Sequence, residues 1–137
     1  MITAGRRGLA LCAALAVAGI CMTACGSGES NATVCNNLSK DGQVAGNEAD
    51  NTLSSISANG GKLTGVQAAP FHTLATILTN DASKASDSRL TAAADALSAD
   101  FDKLADDISS DNVGAFEADA STLEADTKTF DTFCPTE

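Results

Sequence analysis

A chain of 137 residues with 18 acidic and eight basic side chains holds one domain at most. Its net charge of −10 argues against nucleic acid or an anionic lipid surface as a ligand, since both would repel it within a Debye length. Five Phe, no Trp and no Tyr leave little of the aromatic area that usually anchors tight binding faces.

The charge is unevenly placed. Arg6 and Arg7 precede an uncharged run from Gly8 to Ala24, and every acidic residue follows Cys25. Beyond that cysteine, six basic residues against 18 acidic ones leave about −12. Residues 1–24 have the layout of a secretory leader: a positive start, an apolar stretch from Leu9 to Ile20, and small residues before a cut. The apolar stretch is short for a membrane-spanning helix, the competing reading. Met22-Thr23-Ala24-Cys25 resembles the bacterial lipobox, in which the cysteine receives a thioether-linked lipid and becomes the first residue after cleavage. Cys21 is a poor rival because bulky Ile20 precedes it. That resemblance implies at least two acyl chains on Cys25, enough for stable attachment where a single chain gives only marginal binding. Arg6-Arg7 hints at twin-arginine export, although Gly8 and Leu9 fit that motif poorly and the general secretory route fits better. Cys12 and Cys21 would leave with the leader.

Residues 26–33 are small and polar, and read as a flexible tether with a mean reach of about 15 Å. The sequons at Asn31 and Asn37 read as chance matches in such a protein. Val34, Leu38, Ala45, Ala49, Leu53 and Ile56 share one helical face that ends at Asn59-Gly60-Gly61. Gly42 and Gly46 weaken that helix, and either allow a close neighbour or mark a break near Asp41. A shorter helix starts at Pro70 with Phe71, Leu74, Ile77 and Leu78 on its apolar side. Leu90, Ala94, Leu97, Phe101, Leu104 and Ile108 form the most regular stripe, with Asp95, Asp100, Asp102, Asp106 and Asp107 largely off it. Val113, Phe116, Ala120, Leu123, Thr127, Phe130 and Cys134 repeat the rhythm after the capping residues Ser109 to Asn112. So short a connection makes these two helices antiparallel. The expected fold is all-α: a small up-down-up-down helical bundle over residues 34–137, with an Ala-rich core that needs a covalent staple.

Cys35 and Cys134 are the thiols left once Cys25 is lipidated, and an even pair in an exported chain reads as a disulfide. The topology brings the start of the first helix and the end of the fourth to one end. A redox-active pair is the rival, weakened by the absence of Cys-x-x-Cys. His72 has no second His to join it in a metal site. Asp100-x-Asp102 and Asp106-Asp107-x-x-x-Asp111 lack the spacing of a calcium loop, so they read as a solvated face. No Gly-x-Ser-x-Gly or phosphate-binding loop is present, so catalysis is not expected.

The lipobox, the Gly-Ser tether, the Ala/Asp-rich helices and a cysteine near each end of the domain together look like the small lipoproteins of actinobacteria. That resemblance implies a protein anchored at Cys25 on the outer face of the cell membrane, and it carries over no other functional residue. The expected role is a non-catalytic interaction or structural module, without cofactor or nucleic acid, that contacts another envelope protein or polymer. The alternative is a carrier holding a small apolar ligand among Phe71, Phe101, Phe116 and Phe130.

Overall fold

The computed structural model describes residues 28–135; the leader, the lipobox with Cys25 and the last two residues lie outside them. Four helices follow one another: α1 (Asn31–Ala58), α2 (Ala69–Ala82), α3 (Ser88–Ser109) and α4 (Val113–Asp131). Each packs on the next in sequence, which gives the up-down-up-down path expected from the short connections. Among the described residues no helix is long and apolar enough to cross a membrane.

α1 begins one turn earlier than its apolar stripe suggests. The Ser30 hydroxyl accepts a hydrogen bond from the Thr33 N–H and caps the helix, so Asn31 to Thr33 belong to it and not to a tether. The helix then runs unbroken through Gly42 and Gly46. Their cost of up to ~1 kcal/mol each is offset by burial of Val34, Leu38, Ala45, Ala49 and Ile56 along the same face. At Gly46, an added Cβ would meet nothing within 4 Å, so close helix approach does not explain that glycine. The end of α1 does require glycine: Gly60 and Gly61 adopt φ of 70° and 83°, and the Gly61 N–H bonds back to the Ile56 carbonyl at 2.9 Å.

The connection from α1 to α2 contributes to the core as well. Leu63 is 1% exposed, and Val66 packs beside the core as a partly buried side chain. α2 has no side-chain cap and instead carries Pro70 as its second residue, where the missing N–H costs nothing in a first turn. Phe71, Leu74 and Leu78 are buried from α2, and the Phe71 and Phe101 rings meet at a centroid distance of 6.4 Å. Asp87 caps α3, and Asn112 caps α4 by accepting from the Ala115 N–H.

α3 lies between α2 and α4, and its buried sector is correspondingly wide. At 100° per residue, Ser98 and Ala105 lie about 80–100° to one side of Leu97, and Asp100 and Asp107 about 60–80° to the other. All four are buried. The Ser98 hydroxyl donates to the Ala75 carbonyl and lies 2.9 Å from the Thr79 hydroxyl, so the first flank faces α2. The second flank faces α4. α4 itself buries only Phe116, Leu123 and Phe130, a single row at seven-residue spacing, while Val113 is exposed at its start.

Cys35 and Cys134 form the disulfide, with Cα atoms 5.5 Å apart and a sequence separation of 99. It joins the second turn of α1 to the segment after α4, closing the bundle at the end where the expected topology placed both cysteines.

Candidate functional site

Two features of the bundle stand apart from ordinary core packing. The first is the end closed by the disulfide. Glu29 pairs with Ala85 in an isolated parallel bridge: its N–H donates to the Lys84 carbonyl at 2.7 Å, and its carbonyl accepts from the Ser86 N–H at 2.9 Å. Beside it, Gly28 lies so close to the α2–α3 connection that a Cβ there would sit 2.9 Å from the Ser86 nitrogen and 3.1 Å from the Lys84 oxygen. The Asn37 amide donates to the Glu29 carboxylate at 3.2 Å. Residues 28–30 are therefore docked. The flexible tether expected over 26–33 is not what the structure shows for its described part, because backbone pairing and the Ser30 cap fix that segment.

Asp87 ties this end together. Its carboxylate accepts from the Arg89 backbone N–H at 3.0 Å and from the Arg89 guanidinium at 3.1 and 2.9 Å, and from the Asn31 amide at 3.4 Å. These bonds, the Arg89 side chain first, hold the Asp87 pKa down to about 2. The same guanidinium lies 5.8 Å from the Phe133 ring centroid, which links the start of α3 to the residues after α4. The sequence signal was slight: an Asp two residues ahead of an Arg at a helix start.

The second feature is a seam of carboxyl groups between α3 and α4. Asp100 is 2% exposed and Asp107 is 8% exposed, so neither belongs to a solvated face as their position off the stripe suggested. The correction has a topological cause: α4 covers the flank of α3 on which they sit. Asp100 faces Asp126, and Asp107 faces Asp119, each pair a neighbour across the antiparallel helices. Burial pushes both pKa values up, and the facing carboxylates push them further. Lys103 opposes the rise at Asp100 through an ion pair at 3.1 Å. One oxygen of each buried carboxyl has no hydrogen-bond partner, and the same holds for Asp81, whose other oxygen pairs with Lys84 at 2.7 Å. Among the described residues, no three His, Cys, Asp or Glu side chains gather as metal ligands would.

The remaining sequence candidates are placed as follows. His72 lies exposed on α2 with Nδ1 2.7 Å from Asp102 Oδ1. Phe71, Phe116 and Phe130 are core residues, and Phe101 packs against the core partly buried. Phe116 and Phe130 lie 14 residues apart on α4, about 21 Å along the axis, so they cannot line one small cavity together. Comparison of the chain with protein-family models, with curated proteins and with solved structures finds no match.

Proposed function

We propose that this chain is a lipid-anchored envelope protein whose bundle is a non-catalytic interaction or structural module. Residues 1–24 act as the leader, Cys25 carries the lipid, and the acidic faces of the helices meet another envelope protein or a polymer. Met22-Thr23-Ala24-Cys25 is the observation that carries the reading. The disulfide supports it, because a buried Cys35–Cys134 bond suits an oxidising, extracytoplasmic setting. The placement of the Phe side chains favours a module over a carrier, since Phe71 packs against Phe101 and the core while Phe116 and Phe130 are spent on packing at separate levels of the bundle. A charge of about −12 beyond Cys25 suits a partner with exposed basic groups.

The anchor is tested by Cys25→Ala. The variant should accumulate with its leader attached and lose lipid-dependent partitioning into detergent. Processing and partitioning like those of the parent would remove the anchor reading. For the module, cross-linking in intact cells should capture one defined envelope component, and substitution of exposed carboxylates by the corresponding amides should weaken its capture. Capture unaffected by such changes would separate the acidic surface from the role.

A further inference from the structure

We infer that the disulfide-closed end of the bundle is its membrane-facing surface, held there by docking of Gly28–Ser30 against the α2–α3 connection. The inference rests on the reading of Cys25 as the acylated residue and adds to it an orientation. Three steps of chain separate Cys25 from Gly28, and even fully extended they span at most about 10 Å. From Gly28 onward the chain is fixed to the domain by the Glu29–Ala85 bridge, by the close backbone approach at Ser86 and by the Ser30 cap. The leash therefore ends beside the α2–α3 connection, the start of α1 and the disulfide, and this end cannot move far from the headgroups.

Electrostatics agrees with that placement. The near end carries Lys84, Arg89 and Lys128, each ion-paired: Lys84 with Asp81, Arg89 with Asp87 and Lys128 with Glu124. Those three cations are each matched, and Glu29 and Asp131, both partly buried, are further carboxylates at this end without an ion pair of their own among the described residues. The carboxylates of Asp106 and Asp111 lie at the other end of α3, a helix of 22 residues and about 33 Å. That distance is several times the ~8 Å screening length at physiological salt, so anionic headgroups would not repel them. The far end, with the α1–α2 and α3–α4 connections, is then the end presented to partners away from the bilayer.

The test uses the full acylated chain purified from membranes and placed in phosphatidylcholine vesicles that contain a nickel-chelating headgroup lipid. A nitroxide is attached at Ser88→Cys, exposed at the near end, or at Gln67→Cys, exposed in the α1–α2 connection, with the native disulfide intact. Paramagnetic relaxation enhancement by the headgroup nickel should be several-fold greater at position 88 than at position 67. Gly28→Val, which forces the segment off Ser86, should lengthen the leash and shrink that difference while leaving the helices intact. Equal enhancement at the two positions, a greater one at position 67, or no response to Gly28→Val would overturn the orientation. A Cys25 peptide without acyl mass would overturn the anchor, and the orientation with it. Acyl mass with even enhancement would overturn the orientation alone.

Discussion

Asp107→Asn should make the protein more stable at neutral pH, and the gain should fade as the pH falls. In the parent, Asp107 is 8% exposed, one of its oxygens lacks a partner, and Asp119 of α4 and Asp106 of its own helix are the charges nearest to it. A buried polar atom without a partner costs about 1–3 kcal/mol, and an asparagine of the same shape could donate its amide to Asp119. The expected gain at pH 7 is about 1–2 kcal/mol. Each kcal/mol raises Tm by about 4–8 °C in a domain of this size. The pH dependence follows from linkage. The Asp107 pKa is raised in the folded state, chiefly by burial, so at neutral pH folding must hold a charge the site disfavours. Parent stability should rise as pH drops from 7 through that raised value, and the rise should stop near pH ~4, where the unfolded chain takes up the proton too. Asp87 acts in the opposite direction at lower pH. Its pKa is held down to about 2, so its contribution is present above pH ~4 and is lost between about 4 and 2. The parent should therefore be most stable in mildly acidic solution. Relief of the overall negative charge also favours folding at low pH, but it acts on parent and variant alike. Thermal melts of both proteins at pH 7 and pH 5 isolate the local effect. A variant no more stable than the parent at pH 7, or an advantage equal at both pH values, would refute it.

Other side chains give independent checks. Leu63→Ala should cost about 2–4 kcal/mol by chemical denaturation, as for a fully buried leucine, although it lies in a connection and not a helix. Gly46→Ala should stabilise by up to ~1 kcal/mol, because the added methyl meets nothing within 4 Å and the helix gains propensity. His72→Ala should change Tm by no more than a few degrees, since the His72–Asp102 pair is about half exposed on both sides and such surface pairs contribute about 0–1 kcal/mol. The Cys35→Ala, Cys134→Ala and double variants should lose similar amounts, up to about 4–5 kcal/mol for a closure of this length, because each removes the same bond.

Periodicity made the helices and their order legible, because an apolar stripe fixes the direction in which a helix must face. Val34 to Ile56, Leu90 to Ile108 and the row through Phe116, Leu123 and Phe130 all turn inward. The cysteine pair was legible for a related reason: an even number of antiparallel helices returns the chain to its starting end. Two features near the chain's start and in its first connection were not. Residues 28–30 look like linker because they are polar and flanked by small residues, yet the absence of a side chain at Gly28 serves a close backbone approach, and the backbone pairing of Glu29 leaves almost no side-chain signature. Leu63 and Val66 stand alone between Gly60-Gly61 and α2, too few to form a stripe that would mark them as core.

The carboxyl seam exposes a more general limit. A stripe gives the direction of burial but not its angular width, which depends on how many neighbours a helix has. α4, packed on α3, buries one row at seven-residue spacing; α3, packed between two helices, buries close to half its circumference. Asp100 and Asp107 sit inside that wider sector and outside the stripe, so composition alone assigns them to solvent. Their burial follows from α3 being interior to the chain order, with α2 before it and α4 after it. Wherever an acidic helix holds such a middle position, carboxylates about 60–80° from its apolar stripe are the first to ask about, and here they are the groups that set the expected pH response.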